Sequence, residues 1–129
     1  LQHSELARLE GKYIANVHTK NPILDLKKLH GLVSHLAENG PDWSTETCLV
    51  SLVCALGAFS QEYSVHEVSG QNRTFDDGAR VADDNEEETK LASRYWGIAA
   101  KRLGFLVGQN SLEAAQCLCL TGYVICYHI

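Results

Sequence analysis

Residues Trp43 to Ser60 read Trp-Ser-Thr-Glu-Thr-Cys-Leu-Val-Ser-Leu-Val-Cys-Ala-Leu-Gly-Ala-Phe-Ser, and this stretch limits what the chain can fold into. Ser44 is suited to an N-cap, because its hydroxyl can accept from a backbone N–H two or three residues on. Glu46 then falls in a first turn, where the helix dipole favours negative charge. Leu49, Leu52, Val53, Leu56 and Phe59 recur at helical spacing, while Val50, Cys54, Gly57 and Ala58 occupy much of the other side. A helix apolar all round has to be enclosed by other elements. The chain is therefore expected to wrap its remaining segments around this one.

Those segments also read as helices. Residues 3–17 carry Leu6, Leu9, Tyr13 and Val17 on one face, ended by Asn21-Pro22, because a residue before proline is pushed out of the α region. After the Pro22-Ile23-Leu24 link, Asp25 is an N-cap for a helix with Leu26, Leu29, Leu32, Val33 and Leu36 on its face. Asn39-Gly40-Pro41 is a stop, since Gly takes the left-handed conformation and Pro cannot continue the helix. A long acidic flexible loop is expected over about 61–86, with Glu86 to Glu88 opening the next helix.

That helix, about 87–107, gives apolar contacts through Tyr95, Ile98, Ala99, Leu103, Leu106 and Val107. A small-residue face of Ser93, Gly97, Ala100, Gly104 and Gly108 would let a neighbour approach closely, and Arg94, Lys101 and Arg102 are expected to be solvated. Asn110-Ser111 caps a last helix carrying Leu112, Ala115, Leu118, Cys119, Gly122, Ile125 and Cys126. The expectation is an all-α domain of about five helices in an irregular bundle.

Charge excludes one class of function. Residues 76–88 hold seven acids and one base, against nine acids and ten bases elsewhere, so the net charge of −5 is local. The near-neutral body has no basic field of the kind that draws proteins to nucleic acid or anionic lipid. No span is expected from the two most apolar runs. Cys48–Phe59 is too short, and Leu112–Ile129 contains Glu113, Gln116, Thr121 and Gly122.

Cys48, Cys54, Cys117, Cys119 and Cys126 are odd in number and lie in apolar runs, which suits buried thiols in a reducing cell interior. Cys117 and Cys119, two apart on a helix, point to different faces and do not chelate together. His30 and His35 are five apart, unlike the four-apart pair of a zinc metalloprotease helix. His18 precedes the Asn-Pro stop and is expected to bond to backbone, while His3, His66 and His128 lie near an end or in a loop. Trp43 is expected to pack as a staple on the central helix, with a solvent-facing recognition residue as the alternative, and Trp96 to make helix contacts. No catalytic, cofactor-binding or metal-ligating residue is assigned, and no nucleophile elbow, P-loop or dinucleotide fingerprint is present.

Four stretches taken together resemble the fungal-specific transcription factor domain, or middle homology region, of fungal regulators with a binuclear six-cysteine zinc cluster. They are Tyr-Ile-Ala-Asn-Val-His-Thr-Lys-Asn-Pro-Ile-Leu-Asp (13–25), Asp-Trp-Ser-Thr-Glu-Thr-Cys-Leu-Val-Ser-Leu-Val-Cys-Ala-Leu-Gly-Ala (42–58), Ala-Ser-Arg-Tyr-Trp-Gly-Ile-Ala-Ala-Lys-Arg-Leu-Gly (92–104) and Ser-Leu-Glu-Ala-Ala-Gln-Cys-Leu-Cys-Leu-Thr-Gly-Tyr (111–123). The resemblance covers about residues 10–129. It implies an all-helical regulatory and interaction region acting in the nucleus, through protein partners, self-association or a small-molecule effector.

The six-cysteine cluster is absent from the sequence, so the resemblance puts zinc and base-reading in a separate upstream module. Leu1 stands in place of an initiator Met, no Met occurs, and Ile129 falls inside an apolar run, so a partial domain of a larger protein is expected. Its uncovered apolar faces are expected on 48–59 and 112–129. A helical interaction module outside transcription, or a small cysteine-dependent enzyme, are the other readings.

Overall fold

The computed structural model describes residues 3–69 and 75–128, with side chains described outside 61–85 and 127–128. Helix α1 spans His3–Tyr13 and runs directly into a π-helical turn, Ile14–His18. Then come α2 (Leu26–Asn39), α3 (Thr45–Ser69), α4 (Phe75–Leu106) and α5 (Leu112–His128), with no strand among the described residues. The all-α, five-helix expectation holds. In the acidic loop expected over about 61–86, residues 70–74 and the side chains of 61–85 lie outside the described residues, and the backbone of 61–69 and 75–86 belongs to α3 and α4.

Helix α3 is the axis. Every residue from Thr47 to Ser60 is buried, and α1, α2, α4 and α5 all pack on it. The sequence accounts for its start. The Thr47 N–H donates to Ser44 Oγ at 3.2 Å, while Asp42 Oδ1 accepts from Ser44 Oγ and, at 2.6 Å, from Thr47 Oγ1. Helix α2 is bounded as its residues require. Asp25 Oδ1 accepts from the Lys27 N–H at 3.0 Å, and Gly40 takes φ 76° while its N–H closes on Leu36 O at 2.8 Å. At α5 the Ala114 N–H donates to Ser111 Oγ at 3.2 Å.

The first face is buried as its spacing predicts, with Leu6, Leu9, Tyr13 and Val17 all enclosed. Gly57 makes this possible. A Cβ on Gly57 would stand 2.4 Å from Leu9 O, so the backbones of α1 and α3 meet where α3 has no side chain. Two pairings tie α1 to α4. Glu88 accepts from Arg8 at 2.9 Å and Lys12 at 2.8 Å, and the Tyr95 hydroxyl donates to Glu5 Oε1 at 2.7 Å.

Three surface assignments differ from expectation. Arg102 is buried, 7% exposed, because its donors find backbone carbonyls instead of water. The small-residue face of α4 has no close neighbour, since a Cβ at Gly97 or Gly104 would meet nothing within 4 Å. Val107 is exposed beyond the end of α4. Helix α5 packs through Ala114, Cys117, Leu120 and Val124, so the face with Leu112, Ala115, Leu118, Cys119, Gly122, Ile125 and Cys126 points outward. Of the two faces expected to be uncovered, α3 is enclosed and α5 is open. No helix among the described residues is long and apolar enough to cross a membrane.

Candidate functional site

Two places bring polar chemistry together with apolar enclosure. The first is a cleft of about 170 Å³ between α2 and α5, over the first turns of α3. Leu24, Leu29, Leu32 and Leu49 supply its apolar wall, and Leu112 projects at the rim. Gln116 fixes the link before α2 to α5 by donating to Ile23 O at 2.8 Å. Across the mouth Lys28 Nζ bonds Glu113 Oε1, which pushes the Lys28 ammonium up and holds the Glu113 carboxyl down from their ordinary values.

This geometry selects by size and shape. Sites that enclose a drug-sized ligand run to about 300 Å³ or more. The cleft is smaller, so it suits one apolar side chain of a partner or a compact apolar molecule with a single polar end. The polar end would meet the Lys28–Glu113 pair, which presents a donor and an acceptor together.

The second place lies at the start of α3. Arg102, from α4, donates through Nε to Asp42 O and through Nη1 to Ile98 O, each at 2.6 Å. Its guanidinium carbon lies 4.6 Å from the centroid of the Trp43 ring, a cation–π distance. Trp43 itself is 68% exposed, so it does not act as a staple under the helix. It caps a buried cation from the solvent side. No carboxylate forms an ion pair with Arg102 among the described residues.

Beside this cation lie two buried thiols. The Cys48 Sγ–H meets Ala99 O at 3.6 Å, and the Cys117 Sγ–H meets Thr45 O at 3.7 Å. The neighbouring Cys117 thiol, together with the Arg102 charge, draws the Cys48 thiol below its ordinary range, and Cys48 with burial pushes Cys117 up.

The remaining cysteines divide. Cys54 is buried, and burial pushes its thiol well up. Cys119 and Cys126 are exposed, against the expectation that all five lie in the core. They belong to the open face of α5, and the apolar run around them could not say which side would be covered.

The histidines stay apart, and no group of three or more metal-ligating side chains forms among the described residues. His30 Nδ1 lies 3.4 Å from Glu10 Oε1, and His35 shares a 3.1 Å contact with Asn39 on the surface. His18 does not bond to backbone as expected. Its Nδ1 has no partner among the described residues, and its ring lies 6.4 Å from that of Tyr13. Trp96 packs against the core from a half-buried position, as expected.

Sequence reasoning missed the α2–α5 cleft, the buried Arg102 and the thiol pair. Only the helix crossing brings residues 28 and 113, 43 and 102, or 48 and 117 together. Comparison of the chain with protein-family models, with curated proteins and with solved structures found no match.

Proposed function

We propose that the chain is the regulatory and interaction region of a fungal zinc-cluster transcription factor. In this reading it acts in the nucleus on transcription by RNA polymerase II, through protein or small-ligand contacts and without catalysis of its own. The observation that carries the reading is the set of four stretches in the order of that family. In this chain they supply the end of α1 with the cap of α2, the buried part of α3, the second half of α4, and α5. A small apolar cleft with a polar mouth supports a role in binding a partner side chain or a compact effector. Zinc and base recognition belong to a separate six-cysteine module.

The test joins the chain to an unrelated DNA-binding module in a fungal cell carrying a reporter. The fusion is expected to raise or lower reporter transcription, and the isolated chain to form no sequence-selective, salt-resistant complex with DNA. A folded, nuclear fusion that leaves the reporter unchanged overturns the transcription reading.

One observation favours a second reading, a helical interaction module outside transcription. The outward face of α5 carries Leu112 at 66%, Leu118 at 47% and Ile125 at 48% exposure, with no charged side chain between them. An apolar stripe of this kind marks an interaction surface whatever the process. The reporter experiment separates the two readings.

A further inference from the structure

The cleft between α2 and α5 has an inner wall of leucine and a charged mouth. Leu24, Leu29 and Leu49 are buried, and Leu32 packs beside them. Its volume is about 170 Å³. Apolar protein cavities of about 150 Å³ stay dry and take up a molecule the size of benzene. Helices α2 and α5 make no close backbone approach among the described residues, and the Lys28–Glu113 bond spans the gap between them.

The mouth selects the polar end of a ligand. Lys28 brings one positive charge there, and Asp25 and Glu113 bring two negative ones. A ligand carboxylate would compete with Glu113 for Lys28 and face a net negative rim. A ligand ammonium would compete with Lys28 for Glu113. A hydroxyl does neither, because it donates to the carboxylate and accepts from the ammonium. An ammonium has three donors and a carboxylate about four acceptor sites, so both partners can take a hydroxyl while their own bond persists.

The direction of entry separates a free molecule from a partner's side chain. A tyrosine held on a partner's backbone enters with its hydroxyl leading, and carries that group to leucines that offer it no hydrogen bond. A free molecule turns its ring inward and leaves its hydroxyl at the mouth. We propose that the α2–α5 cleft binds a small free phenol, its ring among Leu29, Leu32 and Leu49 and its hydroxyl bridging Lys28 and Glu113. Bound there, it ties α2 to α5 and stabilises the fold by mass action. The assignment rests on the reading of this cleft as a binding site and not on a place in transcription, so the binding and reporter experiments fail separately.

The test titrates the folded full chain with phenol, with toluene, which has a methyl group in place of the hydroxyl, and with benzoate. N-acetyl-tyrosinamide and N-acetyl-phenylalaninamide stand for a partner's side chain. Phenol is expected to shift the Leu29, Leu32 and Leu49 methyl resonances saturably and to raise the melting temperature. Toluene should bind about fivefold more weakly, the loss of one hydrogen bond at a partly exposed site. Benzoate and both blocked amino acids should also bind more weakly than phenol. The double variant Lys28→Met/Glu113→Leu is expected to bring phenol and toluene to equal affinity, and Leu32→Trp, which fills the cleft, to remove both. If Leu32→Trp does not fold, the methyl map of the unaltered chain and the double variant decide. The proposal is overturned if phenol gives no saturable shift, or shifts only the outward face of α5. Toluene or benzoate binding as tightly as phenol overturns it, as does a folded Leu32→Trp that still binds or a double variant that keeps the preference. Tighter binding of either blocked amino acid overturns it in favour of a docking site for a partner's side chain.

Discussion

Gly57 lies so close to Leu9 that a Cβ at residue 57 would stand 2.4 Å from the Leu9 carbonyl oxygen and 3.3 Å from the Tyr13 nitrogen. Both atoms belong to the α1 backbone, which cannot turn aside as a side chain would. Gly57→Ala would gain up to about 1 kcal/mol in helix propensity. Forcing two helices apart costs about 1–3 kcal/mol, and the strain should win. The expected result is a lower melting temperature with the helical circular-dichroism signal retained. An unchanged or raised melting temperature would show that α1 slides freely over α3.

Tyr13 has the opposite character. Its side chain is fully buried, and its hydroxyl has no partner among the described residues. Removing a buried unsatisfied hydroxyl while keeping the ring should stabilise, so Tyr13→Phe is expected to gain up to about 1 kcal/mol in denaturant unfolding.

Burial also pushes the Tyr13 hydroxyl from 10.0 up to about 12. The unfolded chain therefore releases this proton first. The stability contribution is whole below pH 10.0 and is lost as the pH rises toward 12. Tyr13→Phe should make the alkaline fall in melting temperature shallower. The part due to Tyr95, also pushed up by burial and by its bond to Glu5, should remain.

Acid should act at the start of α3. The Ser44 and Thr47 hydroxyls donate to the Asp42 carboxylate and hold it below its ordinary 3.8. A depressed carboxyl stabilises the fold above the unfolded value, and the contribution is lost as the pH falls below about 3.8. Asp42→Asn is expected to flatten the decline in melting temperature over that window. Ser44→Ala, which removes the cap, should cost about 0.5–2 kcal/mol at neutral pH. Identical acid profiles for the native chain and Asp42→Asn would refute the role given to Asp42.

Arg102 is held as a fork, by two carbonyls and an aromatic face, and a lysine cannot reproduce that shape. Arg102→Lys leaves a buried carbonyl without its donor and should cost about 1–3 kcal/mol. Trp43→Ala removes the ring at an exposed site and should cost less, about 0.5–1 kcal/mol. In a double-mutant cycle the two changes should be non-additive, and additivity would mean that the stacking contributes nothing.

Local chemistry was legible in the sequence wherever one segment decides the outcome. Ser44, Asp25 and Gly40 act at helix ends as their types require, and the uniformly apolar 47–60 run is enclosed. Arg102 shows where that logic stops. On a helical wheel it looks solvated, and only the carbonyl of Asp42, sixty residues away, makes its burial favourable. Helix α5 shows the same limit from another side. It is apolar on most of its circumference, so periodicity could not choose between the Cys117 face and the Cys119 face. The π-helical turn at Ile14–His18 has no breaker residue to announce it.

Because α3 carries the packing, α2 and α4 each lie on it, with no close backbone approach, hydrogen bond or ion pair between them among the described residues. Free-energy changes at separate, unshared contacts add within about 0.5 kcal/mol. Val33→Ala in α2 and Ala99→Gly in α4 should therefore combine as a simple sum in denaturant unfolding, whereas either one paired with Val53→Ala in α3 should deviate from it. Each of the two flanking helices is free to accumulate substitutions without retuning the other, while a change in α3 has to be accommodated by both.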